Sequence, residues 1–291
     1  MTVLDERPSA TPLAFLSMEI TSRCQLTCPS QCYAMAGPTR DHGSMTAEDW
    51  HRLIDEAAAL GTSAVQFIGG EPTLHPAFTE LVKHALRVGL RVRVYSNLYM
   101  VRAEHWEIFA LPQVSVATSY YSDTAGQHDA ITGRSGSQVA TRAAIAEAVR
   151  RGVNVRVAVI DHGNGQRAEQ ARAEMVALGV PVTVDKVRAV GRAAGTLLPS
   201  PSSLCGRCGD GKAAVLPDGQ VSVCELGRFL AGGNVRAGQG TLASVLSGPE
   251  WAKARASVPT RGASDPCGPD CSPSDDSCGP SRGESCGPMD N

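Results

Sequence analysis

What the chain lacks narrows it first. There is no excess of basic charge: 27 Lys and Arg stand against 29 Asp and Glu, a net charge of −2. A nucleic-acid binder usually carries a basic stripe; none is present, so nucleic acid is not expected as a partner. No apolar run approaches the length of a bilayer span, so no membrane is expected either. The stretch from Met1 to Pro12 has no basic segment followed by an apolar one and does not read as a secretion signal. A protein of the reducing cytoplasm is expected. Cysteine is missing from residues 33 to 204, whereas three lie between 24 and 32 and seven from 205 onward. A reducing compartment disfavours structural disulfides, so such clusters read first as metal ligands or redox groups. Two metal-binding regions therefore bracket a cysteine-free body. With 291 residues, 42% of them hydrophobic, the chain suffices for one large core and a small appendage.

Along the body, short β-like runs alternate with amphipathic helical stretches. Strands are predicted at 14–20, 63–68, 90–95, 114–119, 153–160 and 181–187, and helices at 46–60, 77–88, 102–110, 137–151 and 166–178. The helix signals are specific. Thr46 is a good N-cap, Glu48 and Asp49 occupy the first turn, and Gly61 ends that helix. Six strands alternating with helices imply an α/β fold with a parallel sheet and right-handed crossovers. In such folds ligands sit at the carboxyl ends of the strands. The candidate residues fall there. The cysteine triplet follows the first strand, Gly69-Gly70-Glu71-Pro72 the second and Ser96-Asn97 the third, while Ser119 closes the fourth. This first region is placed at 13–195.

From about Gly195 the composition changes, and 196–291 is read as a separate, cysteine-rich extension. Leu216 to Val221 looks like a hairpin with Asp218-Gly219 as its turn. Beyond Gly262 large apolar residues are nearly absent, and a loose repeat runs through Cys267, Cys271, Cys278 and Cys286, each followed by Gly-Pro or Ser-Pro. Such a tail builds no core alone and is either held by metal or disordered.

Cys24-x3-Cys28-x3-Cys32 in one loop can wrap a corner of a cubane cluster. Three thiolates leave the fourth iron open to a substrate-like ligand. Zinc is the main competitor, although a structural zinc site wants four ligands and paired Cys-x2-Cys knuckles, and no fourth ligand is obvious nearby. Three unconnected thiols are the remaining reading. Taken alone, Glu71 also reads as a surface carboxylate, and Asn97 and Ser119 as strand-end turn residues. His84, inside a predicted helix, reads as structural or exposed.

Glu19 to Pro29, with its cysteines, resembles the signature loop of the radical S-adenosylmethionine (SAM) superfamily. Gly69-Gly70-Glu71-Pro72 resembles that family's SAM-amino-group motif. Ser96-Asn97 resembles its polar pair contacting the ribose or carboxylate of SAM. The resemblance covers about residues 13 to 195 and implies a partial (β/α)6 barrel. It also implies a [4Fe–4S] cluster on Cys24, Cys28 and Cys32 whose open iron chelates SAM, with Gly69, Gly70, Glu71, Pro72, Ser96, Asn97, Ser119 and Tyr33 lining the cofactor. By that resemblance, the backbone at Gly69 and Gly70 approaches the ligand closely, and Glu71 accepts hydrogen bonds from the SAM ammonium. One electron would cleave SAM to methionine and a 5′-deoxyadenosyl radical, which abstracts a hydrogen atom from a substrate. An external one-electron donor, such as flavodoxin or ferredoxin, is implied with it. The chain departs from the family at one point. The usual spacing is Cys-x3-Cys-x2-Cys with an aromatic before the last cysteine, whereas here the last gap holds three residues and Tyr33 follows Cys32. Loops absorb such an insertion at small cost.

Cys205-x2-Cys208, then Gly219 and Cys224, resemble the opening of the SPASM or twitch extension, which carries auxiliary [4Fe–4S] clusters. Cys267, Cys271, Cys278 and Cys286 are available as further ligands, although their spacings depart from the usual pattern. Seven cysteines fill one four-ligand site and leave three, so one or two auxiliary clusters are expected, with Asp270 an example of a non-cysteine ligand. A zinc ribbon on Cys205, Cys208, Cys224 and one more residue stays open, as does a disordered thiol-rich tail for the last two cysteines. Three functions follow: modification of a ribosomally made peptide by crosslinking, epimerisation or oxidation; dehydrogenation or epimerisation of a small molecule such as a sugar or aminocyclitol; or a structural or sensing metal protein. Peptide modification is favoured. The first strand begins near residue 14 and leaves no room for a leader-binding domain before it, so a peptide would bind directly or come with a separate leader-peptide-binding protein.

Overall fold

Ser17-Met18-Glu19-Ile20-Thr21 alternates polar and apolar residues, and successive side chains of a strand point to opposite faces. The computed structural model, which describes residues 12–259 apart from 164 and 237, shows what this alternation does. The strands β1 (Phe15–Thr21), β2 (Ala64–Gly69), β3 (Arg91–Tyr95), β4 (Val114–Tyr120), β5 (Val155–Asp161) and β6 (Val182–Lys186) pair in parallel in chain order. Between them run α1 (Ala47–Ala59), α2 (Phe78–Arg87), α3 (Ala103–Phe109), α4 (Ala125–Thr132), α5 (Ser137–Arg150) and α6 (Ala168–Ala177). The result is the partial (β/α)6 barrel expected.

The apolar residues of each strand face the helices. Leu16, Met18, Val65, Phe67 and Val94 are fully buried together with Trp50, Leu53, Ile54 and Leu81. Each large side chain withdrawn from water contributes about 1.5–3 kcal/mol. Thr46 caps α1 in a capping box with Asp49. His84 lies on α2 and ties it to α1, its Nε2 being 2.6 Å from Asp55 Oδ1.

The opposite, inner face is polar yet buried. Ser17, Gln66, Arg93 and Ser115 stand in register across β1 to β4. Gln66 Nε2 donates to Ser17 Oγ at 3.1 Å and to Glu225 Oε1 at 3.2 Å. Glu19 is 1% exposed and pairs with Arg228 at 3.3 Å. Burial pushes the Glu19 carboxyl up to about 7, against the lowering effect of Arg228. A raised folded-state pKa means that the folded protein holds this proton more tightly. The stability contribution is therefore complete below about 4.5 and is lost as pH rises through about 7. Glu19→Gln is expected to flatten this slope, so that the difference in melting temperature between about pH 5 and about pH 8 is smaller than in the wild type. An unchanged difference would show that Glu19 does not titrate in this window.

The extension adds β7 (Lys212–Val215), β8 (Gln220–Ser222), β9 (Ala231–Asn234), α7 (Leu242–Leu246) and α8 (Pro249–Ala256). β7 pairs in parallel with β1, and β8 and β9 continue antiparallel, giving the sheet order β6-β5-β4-β3-β2-β1-β7-β8-β9. The hairpin turns at Asp218-Gly219, where Gly219 adopts φ +85°. The stretches 13–195 and 196–259 thus share one sheet. Cys267, Cys271, Cys278 and Cys286 lie outside the described residues. Among the described residues, no helix is long and apolar enough to cross a membrane.

Candidate active site at the strand ends

The loop after β1 is pinned from two sides. On one side, Thr132, at the end of α4, offers its carbonyl to the backbone N–H groups of Thr27 (3.1 Å) and Cys28 (2.8 Å). Gly133 follows in the left-handed region, and a Cβ there would stand 1.9 Å from Thr27 Oγ1. On the other side, the Arg192 backbone N–H donates to Cys32 O at 3.0 Å. Its guanidinium forks to Thr27 O (2.9 Å) and Ala36 O (2.7 Å). Held this way, the loop takes an unusual path, with Cys28 at φ +37°, a conformation that non-glycine residues adopt mostly at constrained sites.

Cys24, Cys28 and Cys32 all line one cavity of about 1060 Å³, counting its open mouth, and Tyr33, Gly69, Gly70, Ser96, Asn97 and Ser119 line it too. The donor set suits an iron–sulfur cluster. The three cysteines are soft thiol ligands with no disulfide among them. Burial, with Glu71 next, pushes the Cys24 thiol up, and burial and then Cys32 push Cys28 up to about 12, while Arg192 pulls it down. Thiolates in such a place need a metal centre to offset the cost of their charge. Hydrogen bonds to sulfur are already in place: Leu26 N and Asn97 Nδ2 donate to Cys24 Sγ at 3.4 and 3.5 Å, and Ala36 N donates to Cys32 Sγ at 3.4 Å. Such bonds tune a cluster's potential.

Gly69 and Gly70 are required by contacts inside the protein. A Cβ on either would come within 2.3 Å of the Thr21 or Arg23 carbonyl, because the two loops cross with Gly70 N and Glu71 N bonded to those carbonyls. Glu71 and Pro72 stand behind the cavity wall. Glu71 is 1% exposed. Its Oε1 accepts from Ser96 Oγ (2.9 Å), Thr73 Oγ1 (2.7 Å) and Thr73 N (3.2 Å), and its Oε2 accepts from Asn97 N (2.8 Å). The carboxylate thus moors the loop after β3. Pro72 opens the short turn Pro72–Leu74. Asn97 Oδ1 takes Gln25 Nε2 at 3.1 Å, binding that loop to the cysteine loop. Ser119 Oγ is 3.1 Å from Tyr95 Oη. Tyr33 Oη is buried without a hydrogen-bond partner among the described residues, and burial and then Glu19 push its phenol well up.

Cys205, Cys208 and Cys224 form a second sulfur group. Cys208 Sγ is 3.8 Å from Cys205 Sγ and 2.8 Å from Cys224 Sγ. Those two neighbours and burial push the Cys208 thiol well up. Two residues past Cys224, Leu226 lines the main cavity. Thr132, Gly133, His128 and Arg192 had not been singled out in the sequence. They also serve the cysteine loop or the cavity, and only tertiary contact reveals it.

A cysteine triplet at the end of the first strand of a partial barrel, facing a glycine-rich loop after the second, defines a class. The family model of the radical SAM superfamily matches residues 18–175, and the chain belongs to that superfamily. Its cofactors are accordingly a [4Fe–4S] cluster and SAM. Among individual proteins, it is similar to the PqqA peptide cyclase of Streptomyces rochei, 30% identical over 186 residues, covering 62% of this chain and 48% of that one. The chain spans between 22% and 48% of the length of the curated relatives it matches. In fold it is similar to Streptococcus suis SuiB bound to the precursor peptide SuiA, with TM-score 0.70, 14% identity, and coverage of 84% of this chain and 67% of that one. It is likewise similar to anSMEcpe with bound AdoMet and the Cp18Cys peptide, with TM-score 0.65, 13% identity, and coverage of 85% and 83%.

Proposed function

We propose that this chain is a radical SAM enzyme that modifies a ribosomally made peptide, forming a crosslink within it. One observation carries the reading. The cysteine triplet, Gly69-Gly70, Ser96-Asn97 and Ser119 line a single wide-mouthed cavity. The names of the relatives, peptide cyclases, support the peptide and the crosslink. When bound, the cluster and SAM supply a 5′-deoxyadenosyl radical that removes a hydrogen atom from the substrate.

The chain's own residues do the rest. Cys24, Cys28 and Cys32 hold the cluster. Arg192 and Thr132 fix the shape of their loop, and Glu71 holds Ser96 and Asn97 against the ligand's side of the wall. Leu26, Ile68, Ile160 and Leu226 give the cavity apolar sides that exclude water. Cys205, Cys208 and Cys224 would hold an auxiliary cluster. A flavodoxin or ferredoxin supplies the electron, and a separate protein delivers the peptide by its leader.

The test is to incubate reconstituted protein with SAM, reductant and a short peptide encoded beside its gene. Crosslinking is expected to lower the peptide mass by a pair of hydrogen atoms. A mass unchanged in water, with deuterium taken up in heavy water, would replace crosslinking by epimerisation. SAM cleaved with no change in any such peptide would overturn the peptide reading.

A further inference from the structure

Among the described residues, Asn97 is the one side chain that donates to a sulfur of the triplet; the other donors, Leu26 N and Ala36 N, belong to the backbone. Which end of its amide faces Cys24 follows from a group that cannot flip. The Tyr99 backbone N–H donates to the Asn97 side chain at 2.9 Å, so the atom there is Oδ1. Gln25 meets the same oxygen at 3.1 Å and must therefore present Nε2. The other atom of the Asn97 amide, 3.5 Å from Cys24 Sγ, is then Nδ2, a donor.

The main chain around this amide is held on every side. Asn97 N donates to Glu71 Oε2 at 2.8 Å, and Asn97 O accepts from Thr141 Oγ1 at 3.0 Å. Leu98, 1% exposed, stands at φ +54°, a left-handed conformation that a leucine adopts only where its surroundings hold it. That twist is what turns Tyr99 N back onto Asn97 Oδ1. Only the Asn97 side-chain torsions remain, and the two donors at Oδ1 fix those. Gln25 is half-buried, and its own Oε1 lies 3.9 Å from Cys24 Sγ.

A cluster gains one negative charge on reduction, and part of that charge lies on the cysteine sulfurs. A donor aimed at such a sulfur favours the reduced form over the oxidised one and raises the potential. Away from bulk water the effect is stronger. We propose that Asn97 sets the electron affinity of the cluster through its Nδ2–H···Sγ bond to Cys24, and that Gln25 is the positioning residue that keeps the Asn97 amide in its donating orientation. The pair thereby governs how readily the electron enters before SAM is cleaved. The proposal rests on the assignment of the cluster to Cys24, Cys28 and Cys32.

The experiment is an anaerobic potentiometric titration of reconstituted protein without SAM or substrate, with iron content measured alongside. It follows the paramagnetic resonance signal that the Cys24→Ala, Cys28→Ala, Cys32→Ala variant lacks. Asn97→Ala is expected to be about tenfold harder to reduce, a shift of about 59 mV to lower potential for one electron. Gln25→Met, which keeps the bulk and loses the donor, is expected to shift the same way by about two- to threefold. The double variant is expected to match Asn97→Ala alone, because Gln25 acts through Asn97. Unchanged potentials in both single variants, with iron retained, would overturn the proposal and leave the cluster assignment intact. A rise in potential in Gln25→Met would show its Oε1 acting on the sulfur directly and would overturn its positioning role. If Asn97→Ala loses its iron, Gln25→Met decides alone, and an unchanged potential there overturns the proposal. A wild type with no such signal would overturn the cluster assignment itself.

Discussion

Changing Cys24, Cys28 and Cys32 together to alanine is expected to remove about four irons per chain from the reconstituted protein and to abolish reductive cleavage of SAM. Iron bound through Cys205, Cys208 and Cys224 is expected to remain, because that group lies on a different stretch of chain and has its own sulfur contacts. The loss would not come from unfolding. Cysteine to alanine removes one sulfur from each site, and Cys28 and Cys32 are only half buried. The loop is held by Thr132 and Arg192 through backbone atoms that alanine retains. A far-ultraviolet spectrum like that of wild type checks this. A triple variant that still forms 5′-deoxyadenosine would refute the assignment of the cluster to this loop.

Arg192→Ala is expected to have the next largest effect. Its guanidinium satisfies the carbonyls of Thr27 and Ala36, which flank the triplet, and its charge lowers the pKa of Cys28. A hydrogen bond to a charged group contributes about 1.5–3 kcal/mol, so removing the fork releases one side of the loop. The expected result is a loss of most of the iron on the triplet, read as iron per chain after desalting, with the melting temperature of the metal-free protein lowered only modestly. Arg192→Lys keeps the charge but cannot reach both carbonyls with a planar fork, and it is expected to fall between. Full iron retention in Arg192→Ala would mean that α4 alone suffices to shape the loop.

The triplet is visible because metal ligation demands a residue type at a spacing, and spacing survives in a linear text. Arg192 has no such signature. It lies far along the chain from Thr27 and meets it only because the turn Gly191–Ala194, after β6, packs against the cysteine loop. The strands and most helices were readable for a similar reason. Thr46 with Asp49 announces α1, and Phe78, Leu81, Val82 and Ala85 repeat at helical spacing in α2. The helix α4 was missed because Ala125-Gly126-Gln127-His128-Asp129-Ala130-Ile131-Thr132 has almost no apolar face; contacts with the cysteine loop and α5 replace the missing core. β9, Ala231-Gly232-Gly233-Asn234, carries no strand-forming residue type and is set by pairing with β8 and by the close approach of Trp251 to Gly232.

Neighbours add a task that the text does not show: the Glu71 carboxylate oxygens moor Ser96, Thr73 and Asn97. The polar inner face was present in the text as alternation, most plainly in Ser17-Met18-Glu19-Ile20-Thr21 and Arg91-Val92-Arg93-Val94. Its meaning, a barrel interior that carries charge up to the site, depends on the partner residues Glu225 and Arg228, which arrive from the extension.

The central claim is that SAM binds to an iron–sulfur cluster held by Cys24, Cys28 and Cys32. The most direct measurement is the electron paramagnetic resonance spectrum of the reduced, reconstituted protein before and after addition of SAM. The account predicts a change in the g-values on addition, present in wild type and absent from the triple alanine variant, because only a cluster with an iron free of cysteine can take the ligand. A reduced-cluster signal that SAM leaves unchanged in the wild type would contradict it.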